Sequence, residues 1–245
     1  MPRFAPEPTG STNPSAFGFS AVDLKTLTAS EYTLVGITGD RSGSTGSFYR
    51  EEENAIKEVI RSCQRSPRAD HLMVRCTTFD NVITEAHGFK LLQDCKPDDY
   101  SGILTPGGTT ALYDASIDAV DALARYGKQL QDNDYCANAI LFVITDGGDN
   151  ASKFTAAGVK AAVERARMSE NLESIVTILI GVNVTDPAIA SYLKSFQAAA
   201  GFTQYVELKD ASAATLARLA SFVSRSISSA SQSLGSGGAS QQLSF

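Results

Sequence analysis

Residues 139–145 (AILFVIT) and 175–182 (IVTILIGV) are nearly unbroken apolar runs rich in β-branched side chains. Both are far shorter than the ~20 residues a membrane-crossing helix needs. Neither alternates polar with apolar, as a strand with one wet face would, so each must be covered from both sides. The arrangement that does this for a short strand is a parallel sheet held between two layers of helices.

The rest of the chain supplies what such a sheet needs. Residues 32–38, 71–79, 82–91 and 204–208 read as further strands, and 48–65, 110–126, 154–168, 187–200 and 211–227 as helices. In the first helix Ala55, Ile56, Val59, Ile60 and Cys63 fall on one stripe, and Leu112, Ala115, Ala119, Ala122 and Leu123 do so in the second. Pro187 opens one helix and Gly201 follows its end, as start and stop residues should. Segments 71–79 and 82–91 are joined only by Asp80-Asn81, which predicts an antiparallel hairpin at the sheet's edge. The fold class expected is α/β: a doubly wound, mostly parallel central sheet with one antiparallel edge strand and helices on both faces. In such a fold ligands bind where loops leave the carboxyl ends of the strands.

The two ends depart from this pattern. Residues 1–30 hold four prolines and the aromatics Phe4, Phe17 and Phe19, and read as an arm rather than a core. Residues 226–245 carry no charge, are dominated by Ser, Gly and Gln, and finish in Leu243 and Phe245, as a tail with a docking peptide at its tip would. One domain over 31–225 lies between them. The net charge of −6, without a dense Lys/Arg run, argues against a nucleic-acid surface. Cys63, Cys76, Cys95 and Cys136 form no Cys-x-x-Cys pair and read as reduced thiols. The first residues lack a basic start followed by an apolar run, so a cytoplasmic location is expected, with no membrane span.

Three loops at or beside strand ends are rich in small oxygen-bearing residues. The first, Gly39-Asp40-Arg41-Ser42-Gly43-Ser44-Thr45-Gly46, places Asp40, Ser42 and Ser44 at every second position, where an extended backbone would aim all three to one side. The second is Pro106-Gly107-Gly108-Thr109-Thr110, and the third, Thr145-Asp146-Gly147-Gly148-Asp149, follows the most apolar strand. Taken alone the first loop would pass for a helix cap and turn, since Asp, Ser and Gly favour both. Together the loops offer two carboxylates and three hydroxyls with no His or thiolate, a hard oxygen set that suits Mg²⁺ or Mn²⁺ better than Zn²⁺. Asp114 and Asp118 read as facing water, and Asp149 and Asn150 as solvated loop residues at the rim.

Asp40-x-Ser42-x-Ser44, a Thr after a Gly-Gly turn and Thr145-Asp146-Gly147 resemble the metal-ion-dependent adhesion site of von Willebrand factor type A domains, a likeness covering residues 31–225. The resemblance implies that Asp40, Ser42, Ser44, Thr110 and Asp146 contact a cation, Mg²⁺ foremost with Mn²⁺ or Ca²⁺ as substitutes. Thr110 keeps the family's spacing to the helix that follows, with Thr109 as the alternative. Gly39, where an apolar residue often stands, and Thr45, where Met is common, depart from the pattern. The function implied is that of an adaptor without catalytic turnover, the cation accepting a Glu or Asp from a partner protein. Two other readings compete. One is a structural subunit held in a larger assembly by residues 1–30 and 226–245. The other is a serine hydrolase built on Ser42-Gly43-Ser44-Thr45-Gly46, with His71 or His87 as base, although the first Gly of the nucleophile-elbow motif is missing.

Overall fold

The computed structural model describes residues 13–14, 19–210, 212–233 and 245. The chain runs β1 (Asn13–Pro14), β2 (Ser20–Ala21), β3 (Glu31–Asp40), α1 (Tyr49–Gln64), β4 (Leu72–Phe79), β5 (Ile83–Leu91), α2 (Leu112–Gln131), β6 (Cys136–Thr145), α3 (Ala156–Met168), β7 (Ile175–Val182), α4 (Pro187–Ala199), β8 (Gln204–Leu208) and α5 (Ala213–Ser233). The strands form one sheet in the order β1-β2-β5-β4-β3-β6-β7-β8. From β4 to β8 neighbours are parallel, and β5 runs antiparallel to β4. This is the doubly wound, mostly parallel α/β sheet expected.

The period of two along each strand divides the side chains between two cores. On β6, Ala139, Leu141 and Val143 face one layer while Ile140, Phe142 and Ile144 face the other, and on β7 Leu179 opposes Ile178 and Ile180. Helices α2, α3 and α4 cover the first face with Leu112, Leu123, Val163, Leu193 and Phe196. Helices α1 and α5 cover the second with Ile56, Ile60, Phe222 and Ile227. Each fully buried side chain of this size stabilises the fold by roughly 1.5–3 kcal/mol relative to exposure. Among the described residues no helix is long and apolar enough to cross a membrane.

Two details differ from the expectation. The hairpin is not the margin of the sheet, because β2 pairs in parallel with β5 through Ala21 and Phe89. Phe19, just before it, is buried and meets Phe89 and Tyr126 edge-on at 5.6 and 6.1 Å. Part of segment 1–30 is thus structural, while residues 1–12 and 15–18 lie outside the described residues. At the other end α5 continues past residue 226 to Ser233, since Ile227 and Ala230 extend its buried stripe at helical spacing. Phe245 stands edge-on to Phe222 at 5.7 Å, and residues 234–244 of the expected tail lie outside the described residues.

Candidate metal centre

Strands β3 and β6 are parallel neighbours in register, Gly39 beside Ile144, so their carboxyl ends deliver the first and third loops side by side. Chain order departs in opposite directions at this point of the sheet, β4 lying on one side of β3 and β6 on the other, and such a switch point opens a crevice. The Thr145 hydroxyl donates to Asp40 Oδ2 at 2.6 Å and joins the two strand ends. Asp40 Oδ1 accepts the Ser42 N–H at 2.7 Å. The Ser42 and Ser44 hydroxyls are 3.0 Å apart, and Ser44 Oγ donates to Asp146 Oδ1 at 3.2 Å. Four of the five residues singled out by the sequence therefore lie on one string of hydrogen bonds.

The local backbone differs from the extended stretch expected between Asp40 and Ser44. Ser42 is extended, but a 3-10 helix starts at Gly43 and runs to Ser47, so Ser44 reaches the string from a helical turn. Thr45 is buried and its hydroxyl donates to the Ser42 carbonyl at 2.8 Å, which holds that turn closed. Gly39 leaves no room for a side chain, since a Cβ there would stand 2.9 Å from Ile56 Cδ1. Both departures from the family pattern thus serve local packing.

Thr110 belongs to the same crevice through its backbone. Its N–H donates to Asn150 Oδ1 at 2.8 Å, and its carbonyl accepts the N–H of Asn150 at 2.9 Å. Thr110 is buried, whereas Thr109 is exposed. The second loop is also tied to the first, Gly43 N–H donating to the Gly108 carbonyl at 3.1 Å and Gly107 N–H to that of Arg41 at 2.9 Å. Helix α2 begins at Leu112 rather than at Thr110.

The carboxyls here sit in an unfavourable field. Burial pushes Asp40 up to about 6, against the pull of its hydrogen bonds from Thr145 and Ser42, and the Asp146 charge adds to the rise. Asp146 is also raised by burial. A third carboxyl, Glu52 on α1, is fully buried with neither oxygen hydrogen-bonded. Burial first, then the charges of Asp40 and Asp146, hold it well above the usual carboxylate range. Among the described residues none of the three is ion-paired with a Lys, Arg or His side chain. Among the described residues no three His, Cys, Asp or Glu side chains gather closely enough to hold a metal by themselves. The crevice instead combines two carboxylates with hydroxyls, an oxygen-only set matched to a hard divalent cation.

Several supporting residues were not visible in the sequence. Asn150, read as a solvated loop residue, clamps Thr110, and Asp149 accepts the Tyr113 N–H. Asp114, read as facing water, accepts the N–H groups of Lys153 and Phe154, while Asp118 pairs with Arg75 at 3.1 Å. Thr145 carried a polar hydroxyl at the end of an apolar strand, a signal that was present. Glu52 carried one too, standing one turn before Ile56 on the apolar stripe of α1. The two histidines lie elsewhere: His71 precedes β4 and bonds the Glu31 carbonyl, and His87 bonds the Gly88 carbonyl and the Tyr100 hydroxyl.

No protein-family model matches the chain, and no curated protein matches it either. Solved structures share its fold. The D319A mutant of the PilB minor pilin from Streptococcus sanguinis aligns at 14% identity with a TM-score of 0.58, over 83% of this chain and 63% of that one. Proximal thread matrix protein 1 from the mussel byssus aligns at 16% identity with a TM-score of 0.54, over 80% and 46%. The pilus adhesin SpaC from Lactobacillus rhamnosus GG aligns at 12% identity with a TM-score of 0.53, over 80% and 31%. The chain spans less than two thirds of each of these proteins, and at such identities the likeness is one of fold.

Proposed function

We propose that this chain binds a partner protein through a divalent cation, Mg²⁺ foremost, in the manner of a von Willebrand factor type A adhesion site. The observation that carries the reading is the string Asp40–Ser42–Ser44–Asp146, built from two loops that adjacent parallel strands deliver to one crevice. Asp40, Ser42, Ser44, Thr110 and Asp146 would hold the cation. When bound, a cation in such a site supplies a positive centre with room for one more carboxylate oxygen, which a Glu or Asp of the partner provides. The protein's own part is to prearrange hard oxygens, some neutral, so that positive charge stays uncompensated at the mouth. The loop-to-loop hydrogen bonds at Gly43 and Thr110 keep those oxygens in place before binding.

The test is calorimetric titration of the full chain with Mg²⁺, alongside capture of partners with and without chelator. Asp40→Ala should remove both the heat of Mg²⁺ binding and the chelator-sensitive partners while leaving the circular dichroism spectrum unchanged. Wild-type Mg²⁺ binding by that variant would overturn the reading.

A structural role within an assembly is the second reading, favoured by the names of fold neighbours: a minor pilin, a pilus adhesin and a thread matrix protein. It predicts that removing residues 1–12 or 234–245 changes the size of the complex in the presence of chelator. A purely cation-mediated adaptor would keep its size distribution under that treatment.

A further inference from the structure

Among the described residues several buried polar atoms have no hydrogen-bond partner, and two of them belong to Glu52. Its side chain is 0% exposed and neither carboxyl oxygen has a hydrogen-bond partner. A buried polar group left unpaired is destabilising, more so when charged, so folds rarely keep one without a use.

Its place on α1 indicates that use. Ile56 packs where a Cβ on Gly39 would stand, directly before Asp40 on β3. Glu52 lies four residues earlier on the same helical stripe, about 6 Å nearer the helix start, and helical side chains lean in that direction. Glu52 therefore sits beneath the first loop, on the inner side of the crevice. The neighbouring Glu53 is spent otherwise, accepting the Leu104 N–H at 3.2 Å. Asp40 is partly committed as well, each oxygen already taking a hydrogen bond, from Ser42 N–H and from Thr145. Among the described residues Glu52 is the one with both carboxyl oxygens buried and without a hydrogen-bond partner.

We propose that Glu52 is a positioning residue of the cation site, its carboxylate accepting hydrogen bonds from water molecules that the cation retains on its inner side. This rests on the cation reading of the crevice. A small cation that gives up water reluctantly suits such a partner, because its water presents O–H donors where Glu52 has none. A larger cation that exchanges water for direct ligands has less need of it. Glu52 thus favours Mg²⁺ over Ca²⁺. Outer groups of this kind change metal affinity by about 10–100-fold when removed.

The experiment titrates the full chain with Mg²⁺ and with Ca²⁺ in four forms: wild type, Glu52→Gln, Glu52→Met and Asp40→Ala. Thermal unfolding in chelator accompanies each titration. Glu52→Gln and Glu52→Met should unfold in chelator at or above the wild-type temperature. Both should bind Mg²⁺ about 10–100-fold more weakly, with a smaller loss for Ca²⁺, so the Mg²⁺/Ca²⁺ ratio falls. If Asp40→Ala abolishes Mg²⁺ binding while both Glu52 variants bind as wild type, or lose both cations equally, the role of Glu52 is overturned and the cation site stands. If Asp40→Ala binds Mg²⁺ unchanged, the cation reading itself fails.

Discussion

Thr145 Oγ1 donates to Asp40 Oδ2 at 2.6 Å across the junction of two parallel strands, and the same hydroxyl oxygen accepts the Gly147 N–H at 3.2 Å. One buried hydroxyl thus sets the carboxylate that heads the first loop and the bend that opens the third. Thr145→Val keeps the shape and removes both bonds. It should cost about 1–3 kcal/mol in urea unfolding, the penalty for leaving buried partners unpaired. Thr145→Ser, which retains the hydroxyl, should stay within ~1 kcal/mol of wild type. A loss in Thr145→Ser with none in Thr145→Val would assign the effect to the methyl group instead.

Gly108 has φ of +72° and a Cβ there would fall 2.4 Å from Asn81 Oδ1, while its carbonyl receives the Gly43 N–H. Gly108→Ala should therefore destabilise the chain by about 1–3 kcal/mol and weaken Mg²⁺ binding, because the second loop must shift away from the first. Gly107→Ala is the control, since nothing lies within 4 Å of a Cβ at that position. Unfolding and cation titration of the pair decide whether the loop contact matters.

Two titrations oppose each other in the cation-free protein. The His87 imidazole is lowered from its ordinary 6.5 to about 4 by burial, and the bond to the Gly88 carbonyl requires the proton on Nδ1, leaving Nε2 to accept from Tyr100. Between pH 6.5 and about 4 the unfolded chain takes up a proton that the folded one refuses, so His87 makes stability fall as pH falls. Asp40 is raised from 3.8 to about 6, so in that window the folded chain is the one that holds the extra proton, and stability falls as pH rises. Each effect is on the order of 3 kcal/mol at most. Glu52 and Asp146, also raised, act in the same sense as Asp40, so against the wild-type profile between pH 4 and 6 Asp40→Asn should tilt stability upward with pH and His87→Gln should tilt it downward. Parallel stability profiles in the two variants would refute the assignment.

Arg75 is buried on β4 and bridges Glu85 of β5 and Asp118 of α2, both at 3.1 Å, while Glu85 also accepts from the backbone and hydroxyl of Ser20. Its partners are part-exposed, which moderates the loss. Arg75→Leu should cost about 1–3 kcal/mol in denaturant unfolding, and hydrogen exchange at Ser20–Ala21 should quicken. Unchanged exchange there would show that the seating of β2 does not depend on Arg75.

Elements whose signal is local were legible in the sequence. β7 and β8 fall where their apolar runs place them, and α1, α3 and α4 lie within two residues of the expected bounds. Asp40, Ser42, Ser44 and Asp146 could be named because each loop carries its own dense oxygen pattern beside a strand end. What stayed hidden depends on contacts distant in sequence. β6 begins three residues earlier than its apolar run, where the amide N–H of buried Asn138 donates to the Ala230 carbonyl of α5, more than ninety residues away. The two residues of β2 have no periodicity to read, and their seating involves the distant partners Glu85, Phe89 and Tyr126. Glu52 has the look of a stray charge on an amphipathic helix until the helix is laid against the end of β3.

The seating of Ser20–Ala21 against β5 also bears on how the molecule meets copies of itself. An unpaired strand border is a template on which a second chain can add, and proteins commonly blunt it with something short. Here the protein plugs that border with its own backbone: a Cβ on Gly88 would stand 1.8 Å from the Ser20 carbonyl oxygen, so no side chain keeps the plug at a distance. Among the described residues only β1, two residues long, lies outside β2 on that flank, so the border offered there to another chain is short. The longer border open to strand addition among the described residues is β8, five residues long.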